Sequence, residues 1–324
     1  MKKLFKKIII AIIAITILSC SKDNASSQQT IAQTASANPD LSTLVSALNK
    51  TGLTSTLNAT GSFTVFAPTN AAFTTFLTAN GFANLDAVPV ATLRNILLNH
   101  VIGAKIKSAD IVTGYASTLS PINTSTNAPT ISMFIQKSGS VVTLNGGSTN
   151  GGAVVTIADI EASNGVVHIV GNVIGIPTLV NHVVANPDFS TLKTVVTSSA
   201  QSTVLTALSG LTANTPATLF APNNTAFTVA LGAGGFANGA SDSQVTKVLQ
   251  YHVTTAGNVR SSQLTNNQSI PMFTSPVQNT TVILGTGTVD IKDSANNLCR
   301  VFQADIQCSN GVIHGLNRVL QPSL

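Results

Sequence analysis

Five histidines stand in a chain of 324 residues. Four fall into two pairs at matching places, His100 with His252 and His168 with His314. Imidazole is the side chain best suited to acid–base work and metal ligation near neutral pH, so chemistry is sought here first. His168 and His314 lie in the apolar runs Val166-Val-His-Ile-Val170 and Val312-Ile-His-Gly-Leu316, just after an Asn-Gly turn. A histidine so placed reads as a buried residue bonded to backbone rather than a ligand. His100 and His252 close helical stretches, where an imidazole can bond the last free carbonyls. Asp159 and Asp305 precede the Asn-Gly turns and suit a turn hydrogen bond better than a metal site. Asn145-Gly-Gly-Ser-Thr-Asn-Gly-Gly152 could cradle a phosphate. It lies between two strand-like runs with no following helix or lysine, and so reads as a flexible hairpin loop. The His-Glu-x-x-His, Gly-x-Ser-x-Gly, P-loop and EF-hand patterns do not occur, so no catalytic residue, metal or cofactor is expected.

The elements that position these residues come twice. Phe63-Thr-Val-Phe-Ala-Pro-Thr-Asn-Ala-Ala-Phe73 returns as Ala217-Thr-Leu-Phe-Ala-Pro-Asn-Asn-Thr-Ala-Phe227. Asn38-Pro-Asp returns as Asn186-Pro-Asp, and Gly81-Phe-Ala-Asn84 as Gly235-Phe-Ala-Asn238. Ala158 to His168 returns as Ala304 to His314. Matched blocks in one order, about 150 residues apart, indicate two related domains in tandem. Within a unit, Asn-Pro-Asp is a helix start, and Leu41, Leu44, Val45 and Leu48 then recur at helical spacing. A short β run stops at Pro68, and a helix follows with Phe73, Phe76 and Leu77 on one face. Another helix is expected over about Val90 to Asn99, its partner over about Ser241 to Tyr251. Strands follow over Ile131 to Gln136, Val141 to Leu144 and Ala153 to Ile157. Their second-unit partners are Val282 to Leu284, Thr288 to Ile291 and Leu298 to Phe302. Helices first and strands later indicate an α+β fold.

The ends carry a different message. Lys2, Lys3, Lys6 and Lys7 precede the apolar run Ile8 to Leu18, which stops at Ser19-Cys20. That is the pattern of an export signal, too short to span a bilayer as a mature helix. Ile17-Leu-Ser-Cys20 resembles a bacterial lipobox, which makes Cys20 the lipidation site and the protein tethered rather than spanning. The expected division is a signal over 1–19, a flexible tether over 20–37, and domains over 38–176 and 177–324. Ser21-Lys22-Asp23 resembles the charged tags of some surface lipoproteins of the Bacteroidetes, and a plain hydrophilic spacer is the alternative. The net charge of +5 shrinks with the signal: 16 basic residues less the four leader lysines leaves 12 against 11 acidic ones. A nucleic-acid partner, which needs clustered positive charge, is therefore not expected.

Cys299 and Cys308 occur in the second unit only, and Ala153 and Ala162 stand opposite them. Two thiols present together in an exported chain predict a disulfide, with two buried free thiols as the alternative. Zinc would need further ligands.

Each unit resembles a fasciclin domain. The resemblance rests on Thr64 to Phe73 and Thr218 to Phe227, on the pair Tyr251-His252 (Asn99-His100 in the first unit), and on Asn164 to His168 and Asn310 to His314. It implies a twisted β-wedge or sandwich with packed helices, no catalytic residues, and a role in adhesion or extracellular interaction. It also implies a partner-binding neighbourhood at Tyr251, His252, Asn99 and His100, although fold support is the favoured role for the histidines in this chain. The implied partner is an extracellular matrix component, a cell-surface protein or a glycan, met at a bacterial envelope, either outer-membrane and periplasmic or surface-exposed. The other readings are a carrier or receptor for a small apolar or carbohydrate ligand and, last, a hydrolase.

Overall fold

Both repeats open on a short helix that the sequence pattern does not announce. The computed structural model describes residues 28–324, so the signal segment and Cys20 lie outside the described residues. In the first unit α1 (Ile31–Ser36) starts at Thr30, whose hydroxyl accepts from the Gln33 amide while Gln33 reaches back to the Thr30 amide. Ile31, Ala32 and Ala35 are buried. This corrects the later part of the flexible tether expected over 20–37: Ile31–Ser36 is helix docked on the first core, while 20–27 lie outside the described residues. Six residues of small side chains are too few to show periodicity. Thr178 repeats the arrangement with Asn181 and opens α6 (Leu179–Ala185) of the second unit.

The first unit continues through α2 (Ser42–Thr51), α3 (Thr54–Asn58), β1 (Phe63–Pro68), α4 (Asn70–Ala79) and α5 (Val90–Asn99). Six strands follow: β2 (Val101–Ile102), β3 (Gly114–Pro121), β4 (Thr130–Ser138), β5 (Val141–Leu144), β6 (Ala153–Ala162) and β7 (Gly165–Val170). Neighbours pair antiparallel in sequence order, and β7 returns to lie parallel to β1, closing a barrel. The second unit has α7 (Ser190–Val196), α8 (Ser202–Ser209), β8 (Ala217–Pro222), α9 (Asn224–Leu231) and α10 (Asp242–Gln250). Its later strands are β9 (Val253–Thr254), β10 (Ser269–Pro271), β11 (Asn279–Gly285), β12 (Thr288–Lys292), β13 (Leu298–Cys308) and β14 (Gly311–Leu316). They form one sheet in the order β10-β11-β12-β13-β14-β8-β9, with β8 and β14 again the parallel pair. Helices segregate to one side of a largely antiparallel sheet, which is the α+β class expected.

Two apolar layers result in each unit, as the burial of both faces of the parallel pair requires. Under the helices of the first unit lie Leu44, Leu48, Val65, Phe73, Leu93 and Val167. Within its barrel lie Phe66, Met133, Ile135, Leu144 and Val170. Alternate residues of β1 thus feed opposite layers, as the strand's period of two dictates. The second unit repeats both layers, around Leu192, Leu219 and Phe227 and around Phe220, Val282 and Leu316.

The units meet at a buried seam. The Gln307 amide of β13 donates to Ser132 Oγ of β4 at 2.9 Å. Tyr115 of β3 packs into the helical core of the second unit, and Asn186 Nδ2 donates to its hydroxyl at 3.4 Å. Asn150 Nδ2 donates to the Asn181 carbonyl at 2.8 Å, and Asn181 Nδ2 to Asn150 Oδ1 at 3.2 Å. The Gly-rich stretch 145–152 is the expected hairpin loop, joining antiparallel β5 and β6, but it is fixed at the seam and not free. Its Asn150 is a seam contact, and its Gly146 approaches Ala185 so closely that a Cβ would sit 3.1 Å from the Ala185 Cα. Glycine is favoured there by this close approach and by a left-handed φ of 76°.

Candidate functional site

The repeated histidines sit at the joints between helices and strands. His100 follows α5 directly; its Nδ1 donates to the Ile96 carbonyl at 2.7 Å and its Nε2 accepts from the Ile174 amide at 2.8 Å. His252 repeats both bonds with the Val248 carbonyl at 2.7 Å and the Leu320 amide at 2.8 Å. One nitrogen must donate and the other accept, so each ring is held as the neutral Nδ1–H tautomer. Burial lowers both pKa values from 6.5 to about 4, against the opposing backbone bonds. Each imidazole pins its helix end to the irregular segment that follows the last strand of its domain.

His168 and His314 form the second joint. His168 Nε2 donates to the Ile106 carbonyl at 3.0 Å and its Nδ1 accepts from the Asp159 amide at 3.1 Å, with the ring stacked on Phe66. His314 does the same with Val259 at 2.9 Å and Asp305 at 3.3 Å, stacked on Phe220. Asp159 and Asp305 occupy left-handed backbone, φ 63° and 58°, where the β6–β7 and β13–β14 registers shift. Their carboxylates accept from the amide and hydroxyl of Ser108 and Ser261. They are bulge residues inside β6 and β13, whereas the sequence suggested a cap or turn; their carboxylates cap the short 3-10 turns at Ser108 and Ser261.

The partner-binding neighbourhood at Tyr251, His252, Asn99 and His100 is corrected by burial: all four are at most 2% exposed. Tyr251 Oη donates to the Asn279 carbonyl at 2.9 Å and lies 2.9 Å from Ser294 Oγ. Asn99 Nδ2 donates to the Gly175 carbonyl at 3.0 Å. A partner cannot touch these side chains without opening the fold.

The expected disulfide between Cys299 and Cys308 is also corrected. Both are buried free thiols. They lie at opposite ends of one strand, β13, nine residues apart. At about 3.3 Å per residue that is roughly 30 Å, whereas disulfide Cα atoms lie within about 7 Å. Cys308 joins the core under the helices and Cys299 the core inside the sheet. Burial raises the Cys299 thiol to about 12 and Cys308 well above its usual value, so neither is a ready nucleophile. Both are expected to react with Ellman's reagent only in denaturant, with or without reductant. Reaction in the native state would contradict this placement.

Sequence reasoning missed the seam. His182, the histidine with no counterpart, is fully buried there, edge-on to Tyr115 at 5.4 Å, and neither ring nitrogen has a hydrogen-bond partner. Burial lowers its pKa to about 4, against the nearby backbone of Gln307 and Ser132. Burial likewise raises the Tyr115 hydroxyl. The available signal was that His182 breaks the pairing of the other four. Among the described residues, no group of three or more His, Cys, Asp or Glu is placed to hold a metal ion.

A helix-capped mixed sheet, duplicated and docked through a buried seam, defines a tandem α+β domain pair. The chain belongs to the fasciclin domain family, whose signature matches residues 39–177 and 187–322. It is 35% identical over 148 residues to Protein sll1483 of Synechocystis, covering 46% of this chain and 74% of that one. It is 41% identical over 91 residues to the immunogenic protein MPB70 of Mycobacterium bovis, covering 26% of this chain and 46% of that one. A solved FAS1 domain pair from the insect cell adhesion molecule fasciclin I shares the fold, with TM-score 0.52 and 19% identity over 88% of this chain and 98% of that one. No helix among the described residues is long and apolar enough to cross a membrane.

Proposed function

We propose that this protein is a lipid-anchored, extracytoplasmic adhesion protein that presents its fasciclin domains to a matrix, cell-surface or glycan partner. The observation that carries the reading is the seam. Two domains held by buried contacts offer binding faces at a fixed separation, which favours multivalent attachment by weak individual contacts. Fasciclin family membership and the domain pair of an adhesion molecule support the same reading.

The second domain carries the better contact face. On the outer side of β13, Leu298 and Phe302 are half exposed and flank Arg300, whose Nε and Nη2 donate to the two carboxylate oxygens of Asp290. Phe302 lies across Gly315, where a Cβ would come within 2.8 Å of the ring. Exposed aromatic and arginine side chains are the types that dominate binding energy in protein interfaces. The anchor is Cys20, after the basic and apolar leader.

The test is attachment of the full-length protein, displayed on cells, to an array of matrix proteins and glycans. Binding is expected to fall at least about tenfold in Phe302→Ser, a loss of about 1.4 kcal/mol or more. Labelled palmitate is expected in the wild type and absent from Cys20→Ala. An array that captures nothing would remove the adhesion reading, and unlabelled wild type would remove the anchor.

A further inference from the structure

The two domains differ most at one place under their helices. In the first, Phe76 of α4 packs against Phe82 with ring centroids 6.4 Å apart, plugging the space beneath the loop to α5. Lys50 at the end of α2 clamps that loop, its Nζ donating to the carbonyls of Leu85, Asp86 and Val88 at 2.8, 2.9 and 3.0 Å. In the second domain both devices are gone. Ala230 replaces Phe76, Ser198 replaces Lys50, and Ala240 replaces the buried Val88.

Two cavities open where the plug and clamp stood. One, of about 290 Å³, runs between α7, α9 and α10 and is lined by Val195, Ser198, Ala230, Leu231 and Val245. The other, of about 330 Å³, lies on the far side of Ala230, lined by Val229, Phe236, Asn297 and Arg318. Ala230 and Val319 border both, so a chain passing over Ala230 would occupy the two together. Such volumes suit small ligands, as does an apolar lining with a few convergent polar groups. Among the described residues Arg318 makes no ion pair, and its guanidinium reaches only Asn297 Oδ1 at 3.4 Å. Asp242 stands at the opposite mouth and disfavours an anion there.

We propose that the second domain binds a single-chain amphipathic carboxylate, such as a fatty acid. Its acyl tail lies between α7 and α10 and crosses over Ala230, and its head group meets the Arg318 guanidinium. The first domain, plugged and clamped, does not bind it. The assignment does not rest on the adhesion reading, since a soluble ligand tests it without any attachment partner.

The probe is dodecanoate below its micelle concentration, titrated calorimetrically into the full chain, with dodecanol as the uncharged control. Saturable binding at one site is expected, with a rise in melting temperature. Ala230→Phe, which restores the plug, is expected to abolish binding without lowering the melting temperature. Should that ring fail to fit, Ser198→Lys places a lysine in the half-buried segment just past α7 and is expected to weaken binding. Arg318→Gln is expected to weaken dodecanoate about tenfold, the value of a charged hydrogen-bonded contact, and to leave dodecanol unchanged. No saturable binding, or wild-type affinity in both Ala230→Phe and Ser198→Lys, overturns the site. Equal effects of Arg318→Gln on acid and alcohol overturn the head-group assignment.

Discussion

Replacing Gly311 by alanine is expected to unfold the second domain. Gly311 opens β14 directly opposite Ala217 of β8 in the parallel pair, at φ 153°. A Cβ there would lie 2.0 Å from the Ala217 carbonyl oxygen and 3.0 Å from its carbon. Both obstructing atoms are backbone, so relief requires the two central strands to separate. Asn310, one residue earlier, ties the sheet to α6 by accepting from the Leu179 amide at 2.9 Å, so the movement would also undo a helix dock. The first domain is built alike: a Cβ on Gly165 would meet the Phe63 oxygen at 2.1 Å, and Asn164 accepts from the Ile31 amide at 2.9 Å. The expected cost exceeds about 4 kcal/mol, a large share of a domain's stability. Gly52 is the control: it ends α2 at φ 70°, and a Cβ added there would have nothing within 4 Å. Alanine there is expected to cost only the left-handed backbone, about 1–2 kcal/mol. Urea unfolding followed by circular dichroism ranks the two, and equal costs would refute the close-approach argument.

The Asn-Gly block was legible as a turn before a strand, and duplication made it conspicuous. Its physical role was not legible, because the contact that demands glycine lies across about 90 residues of chain. The same divide runs through the rest of the fold. Elements with a strong local signal, such as α5 and the strand-stopping Pro68, stand where sequence placed them, since periodicity and fixed backbone act over a few residues. The α+β class followed from element order. Features created by packing between distant segments did not show. Helix α1 is held by a distant core, and its own short pattern carries no sign of that. The family resemblance implies a partner-binding neighbourhood at the Tyr251 and His252 pair, with fold support as the favoured role for the histidines. In the structure Tyr251 ties the end of α10 to β11 and His252 ties it to the segment after β14. The cysteines looked bonded because two copies were compared, while strand geometry separates them. The cavity at Ala230 was written in the sequence as the mismatch of Phe76 with Ala230, but only the fold shows that the two positions face the same void.

Acidification is expected to unfold the protein before pH 4 is reached. His100, His182 and His252 are all buried, and burial lowers each pKa from 6.5 to about 4. Above pH 6.5 the rings are neutral whether the chain is folded or not, and their contribution is complete. Between pH 6.5 and 4 the unfolded chain takes up protons that the folded one refuses, so stability falls as pH falls through this window. Each histidine costs the folded state up to about 3 kcal/mol by the lower limit, and three together approach the whole stability of a typical domain. The three are not equivalent. His100 and His252 use both nitrogens, so protonation turns an acceptor of a buried amide into a second donor and breaks the bond to Ile174 or Leu320. His252→Ala is therefore expected to destabilise at every pH, by about 3 kcal/mol or more, since it leaves two backbone groups unpaired and a void behind. His182 has no hydrogen bond to lose. His182→Phe keeps an aromatic edge against Tyr115 and removes a desolvated polar ring, so it is expected to be neutral or stabilising at pH 7.5 and less sensitive to acid. Melting temperatures from pH 8 to pH 4 distinguish these cases. An unchanged acid profile in His182→Phe would mean that the ring at the seam is not held neutral by burial, and the seam would then not be a dry interface between the domains.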